Sequence, residues 1–133
     1  MNNLKILIVE DEPGTQAKLE RNLKNRGYEV NTAVNGVEAV DLISKSYFDV
    51  VLTDMVMPGQ IDGIGVLEYT KAKHNSNIQL GKGVKVVMLT ASKTSDSVLS
   101  AFNEGCEAYL VKPFNKASLS KALSELGLIV GKT

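Results

Sequence analysis

The chain has 133 residues, of which 44% are hydrophobic, and its 15 basic and 15 acidic residues give a formal charge of zero. This length and composition suit a single domain with one packed core, and a neutral chain lacks the charge that favours nucleic-acid binding or anionic membranes. The single cysteine, Cys106, excludes an internal disulfide, and no apolar run is long enough to cross a membrane, so we expect a cytoplasmic protein.

Five short apolar runs along the chain are typical of β-strands. They cover residues 6–9, 28–32, 50–54, 84–89 and 108–111. The second run is the most polar and is expected at a sheet edge. The third, with Val-Val-Leu at 50–52, is typical of a strand covered on both faces. It ends on Asp54, which places this carboxylate at the carboxyl end of a buried strand.

A helical pattern follows each strand. The patterns run from Pro13 to Gly27, from the N-cap Asn35, from about Gly63, from about Ser95 to Gly105, and from the N-cap Asn115 to Gly127. The apolar positions expected to face inward include Val37, Val40, Leu42 and Ile43 in the second helix and Ile64, Leu67 and Tyr69 in the third. Strict alternation of strand and helix predicts a doubly wound α/β fold, with five helices on the two faces of a five-stranded parallel sheet in the order 2-1-3-4-5.

The predicted strand ends bring charged and polar side chains to one edge of the sheet. They are Glu10, Asp11, Asp54, Thr90 and Lys112. Ligands of open α/β sheets bind at this edge. Strands one and three are adjacent in the predicted order, so Asp11 and Asp54 become neighbours. Two carboxylates about 5 Å apart repel each other by roughly 3 kcal/mol at an effective dielectric constant of about 20, which favours a bound cation.

These side chains suit a magnesium ion and a phosphoryl group. Asp11 and Asp54 can bind Mg²⁺ directly and Glu10 can act through a water, with Mn²⁺ as an expected substitute. Lys112 supplies a compact positive charge for phosphate oxygens, and Thr90 supplies a hydroxyl donor. Asp54 lies centrally among these groups, and a carboxylate is a known nucleophile in phosphoryl transfer. The pattern therefore predicts that Asp54 accepts a phosphoryl group.

Five segments at strand ends together resemble a response-regulator receiver domain, which has a CheY-like, flavodoxin-like fold. The matching segments are 6–12, 50–58, 62–63, 87–91 and 109–114, and the resemblance covers about residues 3–126. It implies that residues 1–133 form one receiver domain with no output domain, a stand-alone phosphoacceptor of two-component phosphorelay signalling. It also implies that Asp54 takes its phosphoryl group, in a Mg²⁺-dependent reaction, from a sensor histidine kinase or a histidine phosphotransfer protein.

The resemblance assigns roles to individual residues. The implied metal site consists of Asp11 and Asp54, Glu10 through a water, and the main-chain carbonyl of Val56. Lys112 is implied to contact the phosphoryl group, and its peptide bond to Pro113 is implied to be cis, a form that is rare enough to be a sharp test.

The resemblance further implies a switch rather than an enzyme, since the acceptor only assists its own phosphorylation and dephosphorylation. Thr90 and Tyr109 match the switch pair, in which the hydroxyl moves toward the phosphoryl group and the aromatic ring turns inward. The surface that changes is formed by the fourth predicted helix, the fifth strand and the fifth predicted helix, and a downstream protein binds there. It includes Lys93, Glu104, Tyr109 and Lys116. No binding to nucleic acid or membrane is implied.

Two departures from the family pattern are present. One additional residue lies between Pro58 and Asp62, on the active edge. Residues 74–83 make a longer connection between a helix and the start of a strand, which we expect on the opposite rim, away from the chemistry. His74, the sole histidine, is interpreted as a solvated residue at a helix end, so the chain is an acceptor rather than a donor.

Other interpretations stay open. The main alternative is a Mg²⁺-dependent phosphohydrolase with an aspartyl nucleophile, although Val56 stands where the haloacid-dehalogenase pattern requires an acid. A flavodoxin-like flavin carrier fits the order of elements, but acids at the first strand's end would repel the FMN phosphate. A degenerate receiver that binds partners without phosphorylation is disfavoured by the intact set of site residues. Asp11 could instead cap the helix at Pro13, and Met55 and Cys106 are expected in or near the core.

Overall fold

The computed structural model describes residues 4–55, 59–74, 84–90 and 105–125. Its elements are β1 (Lys5–Val9), α1 (Pro13–Asn25), β2 (Glu29–Ala33), α2 (Gly36–Lys45), β3 (Val50–Asp54), α3 (Gly63–His74), β4 (Lys85–Thr90), β5 (Ala108–Val111) and α4 (Lys116–Glu125). The helix predicted from about Ser95 lies outside the described residues. Helix α4 of the structure therefore corresponds to the fifth helix predicted from the sequence.

The five strands form one parallel sheet in the order β2-β1-β3-β4-β5, which confirms the predicted fold. Strand β1 lies between β2 and β3, with Val9 paired to both Ala33 and Thr53. The polar strand β2 is at the edge, as predicted. Because β1 and β3 are neighbours, the residues that follow Val9 reach the same sheet edge as Asp54 at the end of β3.

A buried core lies on each face of the sheet. On the face covered by α2 and α3, the core includes Leu7, Val9, Ile43, Phe48, Val51, Val66, Leu67, Val86 and Met88. On the face covered by α1 and α4, it includes Ile6, Ile8, Leu19, Leu23, Val50, Leu52, Leu89, Leu119 and Leu123. All five residues of β3 are buried, as its sequence predicts. Met55 and Cys106 lie in the first core, which confirms their predicted positions.

The predicted helix caps are present, but α1 is capped by a different acid. Asn35 Oδ1 accepts from Glu38 N at 2.8 Å, and Asn115 Oδ1 accepts from Ser118 N at 2.9 Å. At the start of α1 the Glu12 carboxylate accepts from the main-chain amides of Thr15 and Gly14. The alternative in which Asp11 caps this helix is therefore wrong, and helix capping does not account for Asp11.

The inward assignment of Val37 is also wrong. Val37 is 52% exposed, whereas Gly36 and Ala39 face inward together with Ile43, whose inward position is confirmed. A Cβ on Gly36 would lie 2.2 Å from Ile61 O, so only glycine allows this close approach between α2 and the loop before α3. Small residues thus make the contact that the sequence pattern assigned to bulky ones.

Several other predicted positions are adjusted. Leu42, Ile64 and Tyr69 are half-buried and pack against the first core, which confirms that they face inward, and Val40 is half-buried. Strand β2 begins at Glu29 because Tyr28 N donates to Leu23 O at 3.2 Å and so belongs to the turn that follows α1. Strand β4 is shifted by one residue and includes Thr90. None of the helices described in residues 4–55, 59–74 and 105–125 is long and apolar enough to span a bilayer.

Candidate functional site

Three acidic side chains meet at the carboxyl edge of the sheet. Glu10, Asp11 and Asp54 each offer a carboxylate oxygen, and these oxygens lie within 4.8 Å of one another. Glu10 N donates to Ala33 O at 3.0 Å, which extends the β1–β2 pairing and directs the buried Glu10 side chain over the sheet edge. Asp54 is buried and Asp11 is exposed, so the cluster opens to solvent on the Asp11 side. The predicted neighbourhood of Asp11 and Asp54 is present.

Lys112 lies against two of these acids. Its Nζ is 2.9 Å from Glu10 Oε1 and 3.0 Å from Asp54 Oδ2. The main chain positions the Lys112 side chain beside these acids, because Lys112 N donates to Thr90 O at 2.7 Å and so continues the β4–β5 pairing by one residue. The peptide bond from Lys112 to Pro113 is cis, the form that the resemblance implies.

Burial and charge oppose each other at this site. Burial raises the pKa of the Glu10 carboxyl, and the adjacent Lys112 ammonium and the hydrogen bond from Glu12 N only partly offset that effect. For Lys112, burial alone would lower the pKa of the ammonium, but the Glu10 and Asp54 carboxylates together outweigh it and raise that pKa. One ammonium thus faces three carboxylates, so the formal charges leave the cluster net negative.

The geometry of Glu10 fits a hydrated cation. Its Oε2 accepts from Glu12 N at 3.0 Å, whereas its buried Oε1 has no hydrogen-bond partner among the described residues, and Lys112 reaches it only as an ion-pair contact. The Lys112 ammonium compensates the charge of this oxygen in part, and a ligand with an aligned donor would complete its hydrogen bonding. With oxygens of Asp11 and Asp54 beside it, the donor set suits Mg²⁺. The predicted Val56 carbonyl ligand lies outside the described residues.

Two residues that support the site were not predicted from the sequence. Gln16 Nε2 donates to Glu10 O at 2.9 Å and to Ala33 O at 3.3 Å, which ties the ends of β1 and β2 to α1. Gly63 N donates to Met55 O at 3.1 Å, and a Cβ on Gly63 would lie 2.2 Å from Asp54 O. Gly63 was predicted as the start of a helix and as part of a matching segment, but not as this close contact. No sequence signal marks Gln16, because its role depends on two distant carbonyls.

The predicted switch residues lie on adjacent strands. Thr90, buried at the end of β4, pairs with Val111, and Tyr109 lies two residues earlier on β5, paired with Met88. Tyr109 is half-buried against the first core and lines a cavity of about 340 Å³ beside α4. Lys116 is exposed at the start of α4. The other two residues of the predicted output surface, Lys93 and Glu104, lie outside the described residues.

The long connection starts and ends away from this site. Helix α3 ends at His74, and residues 75–83 lie outside the described part of the chain. The connection ends before β4, whose first residue, Lys85, pairs with Val50 at the start of β3. Its C-terminal end is therefore at the sheet edge opposite Asp54.

Comparison with known sequences identifies one family. The family model described as the response regulator receiver domain matches residues 6–124. Sporulation initiation phosphotransferase F of Bacillus subtilis (strain 168) is 31% identical over 125 residues, which are 94% of this chain and 94% of that protein. The transcriptional regulatory protein PrrA of Mycobacterium leprae (strain TN) is 34% identical over 115 residues. Those residues are 86% of this chain but 46% of PrrA, so the chain spans about half of that relative.

Solved structures give the same result. The chemotaxis response regulator CheY4 of Vibrio cholerae superposes with a TM-score of 0.80 at 30% identity, over 94% of this chain and 99% of that one. The receiver domain of the sensor histidine kinase PA1611 from Pseudomonas aeruginosa PAO1 gives 0.79 at 28% identity, over 95% of this chain and 99% of that one. That domain was solved with a magnesium ion coordinated in its active site cleft.

Proposed function

Since this chain belongs to the response regulator receiver domain family, we propose that it is a phosphoacceptor switch in which Asp54 carries the phosphoryl group. The donor is a sensor histidine kinase or a histidine phosphotransfer protein. The observation that carries this proposal is the meeting of Glu10, Asp11 and Asp54 with the Lys112 ammonium at one sheet edge. Such a concentration of charge is costly without a ligand that uses it.

The chemical step places each residue in a role. An Asp54 carboxylate oxygen attacks the phosphorus of the donor's phosphohistidine, and the phosphorus–nitrogen bond breaks. The bonding pair leaves with the imidazole nitrogen, which takes up a proton. Lys112, already 3.0 Å from Asp54 Oδ2, and the Thr90 hydroxyl donate hydrogen bonds to the phosphoryl oxygens as the charge on them develops.

We further propose a divalent cation, Mg²⁺ with Mn²⁺ as a substitute, at the acidic cluster. Asp11 and Asp54 would hold it directly, Glu10 through a water, and the Val56 main-chain carbonyl would complete the protein ligands. When bound, the cation supplies charge compensation for the phosphoryl oxygens. The buried Glu10 Oε1, which has an ion-pair contact with Lys112 but no hydrogen-bond partner among the described residues, supports this arrangement because a metal-bound water could donate to it.

The phosphoryl group would then act as a local charge change that biases a two-state surface. Thr90 would move toward it and Tyr109 would turn inward. The surface of the helix predicted from Ser95, strand β5 and helix α4, which contains Lys93, Glu104, Tyr109 and Lys116, would then bind a downstream protein. We place the reaction in the cytoplasm, where a histidine kinase presents its phosphohistidine, and regard the acceptor as a switch rather than a turnover enzyme.

The test is phosphorylation by a small donor. Incubation with acetyl phosphate and Mg²⁺ is expected to add the mass of one phosphoryl group to the wild-type chain and none to Asp54→Asn. The matched control is Asp41→Asn, since Asp41 forms an exposed ion pair with Lys45 on the outer side of α2 and should not affect the reaction. Equal labelling of wild type and Asp54→Asn would refute the assignment of the acceptor. Sustained turnover of a generic phosphate ester would favour the phosphohydrolase instead.

A further inference from the structure

Lys18 of helix α1 reaches across to the segment that follows Lys112. Its Nζ donates to Phe114 O at 2.7 Å and also lies 4.6 Å from the centroid of the Phe114 ring. The two groups are 96 residues apart in sequence, so only the fold brings them together. A single side chain thus contacts both the carbonyl and the ring of Phe114, which is two residues after the site lysine.

The carbonyl of Phe114 lies in the connection between strand β5 and helix α4, outside regular secondary structure. Strand β5 ends at Val111, and α4 begins at Lys116. The amide that would meet this carbonyl in a continued helix, Ser118 N, donates to Asn115 Oδ1 instead. Lys18 therefore supplies the donor that secondary structure does not supply here.

The segment 112–114 is held at three places. Lys112 N donates to Thr90 O, the Phe114 ring is buried in the second core, and Lys18 holds Phe114 O. An open cavity of about 280 Å³ lies among Thr15, Lys18, Lys112, Pro113 and Phe114. Side-chain packing on that side of the segment is therefore sparse, and Lys18, an exposed residue, supplies the contact to the main chain there.

We propose that Lys18 is a positioning residue, which fixes the main chain of 112–114 and thereby aims the Lys112 ammonium at Asp54. The inference rests on the proposed function, because it assigns Lys18 a part in the same phosphoryl transfer. Lys18 does not touch the acidic cluster and acts only through Lys112. Small displacements of a positioned charge are costly in catalysis, so the contact matters for rate more than for folding.

Helix α1 offers a matched control. Lys24 is on the same helix and pairs with Glu20 at 2.9 Å, with 56% of its side chain exposed. Lys24→Met removes the same charge from the same helix without affecting Phe114. Lys18→Met keeps the length of the side chain and removes the ammonium, while Lys18→Arg keeps a cation that can donate to the carbonyl and cover the ring.

The experiment measures the initial rate of labelling by acetyl phosphate and Mg²⁺, together with the urea midpoint of each variant. We expect Lys18→Met to slow labelling about tenfold, with Lys18→Arg and Lys24→Met close to wild type. In a Lys112→Met background, Lys18→Met should cause no further loss, because the group that it positions is gone. A purely structural role would instead give the same loss in both backgrounds.

The outcomes separate the two proposals. If wild type is labelled at Asp54 but Lys18→Met is labelled equally fast, or if the loss persists in the Lys112→Met background, the positioning role is overturned and the phosphoacceptor assignment stands. If wild type is not labelled at all, the proposed function fails and the positioning role fails with it. Recovery of the rate by Lys18→Arg, with an unchanged urea midpoint for Lys18→Met, supports the inference.

Discussion

Lys112 Nζ lies 2.9 Å from Glu10 Oε1, a carboxylate oxygen on a side chain that is 0% exposed. The same ammonium contacts Asp54 Oδ2 at 3.0 Å. Lys112 is thus the counter-ion of the Glu10 carboxylate, which is buried away from solvent. The same ammonium links Glu10 to Asp54. Removing one partner of such a group leaves a buried charge uncompensated, which costs more than the contact itself contributes.

We predict that Lys112→Met lowers the free energy of unfolding at neutral pH by about 2 kcal/mol. The loss is smaller than the 3–5 kcal/mol typical of a fully buried pair, because 28% of the Lys112 side chain is exposed and water can partly replace it. Urea unfolding without Mg²⁺ measures the change. Lys45→Met, which removes an ion pair whose side chains are 69% and 57% exposed, should stay within about 0.5 kcal/mol of wild type. Equal effects of the two substitutions would contradict the buried role of Lys112.

Magnesium should stabilise the folded chain through the acidic cluster. A ligand that binds only the folded state adds about 2.7 kcal/mol at a hundred times its dissociation constant, so added Mg²⁺ should raise the midpoint of thermal unfolding. Asp11→Asn should abolish this gain. Glu12→Gln is a close control, since the Glu12 carboxylate caps α1 through the Thr15 and Gly14 amides and is not in the cluster. A Mg²⁺-dependent gain that survives in Asp11→Asn would remove Asp11 from the site.

The sheet order and the acidic cluster were predictable because they depend on local patterns. Apolar runs such as 50–52 identify the buried strands, and strict alternation with helices leaves few ways to connect them. Once the strand order is known, the sheet edge at which each strand-end residue lies is also known. Asp11 and Asp54 could therefore be predicted as neighbours from sequence alone.

The contacts that were missed all depend on distant groups. Val37 fits an apolar helix face, but Ile61 approaches α2 at Gly36, and the glycine rather than the valine faces inward. Gln16 and Lys18 are ordinary polar residues of a helix, and only the tertiary fold shows that they donate to carbonyls of other elements. A sequence pattern gives the polarity and spacing of a residue, whereas the roles of Gly36, Gln16 and Lys18 depend on the groups that the tertiary fold places against them.

Gly63 should be intolerant of any side chain. A Cβ there would lie 2.2 Å from Asp54 O and 2.6 Å from Met55 Cα, which are main-chain atoms that cannot turn aside. We expect Gly63→Ala to cost about 2–3 kcal/mol in unfolding free energy by overpacking, and to reduce labelling at Asp54 by displacing its main chain. Gly14→Ala is the comparison variant, because its Cβ would approach a side chain rather than the main chain, namely the capping Glu12 carboxylate at 3.3 Å. Urea unfolding should show a much larger loss for Gly63→Ala than for Gly14→Ala, and a neutral Gly63→Ala would contradict the close approach.

Cys106 should react with alkylating reagents as a buried thiol that is difficult to ionise. Burial, with a smaller contribution from the Glu107 carboxylate, raises the pKa of the thiol from its ordinary value of 9.0 to about 11. The thiolate is the reactive form, so at pH 8 the folded chain should react about a hundredfold more slowly with iodoacetamide than the urea-unfolded chain. Because the folded pKa is raised, stability from the neutral thiol is present below pH 9.0 and is lost as pH rises toward about 11.

The rate as a function of pH is the decisive measurement for this thiol. The rate for the folded chain should keep rising past pH 9, whereas the rate for the unfolded chain should level off near the ordinary value of 9.0. Cys106→Ala, which removes the only cysteine of the sequence, should show no labelling and gives the background. A folded-state rate that levels off near pH 9 would mean that Cys106 ionises as freely as an exposed thiol, and that its place in the first core is not maintained in solution.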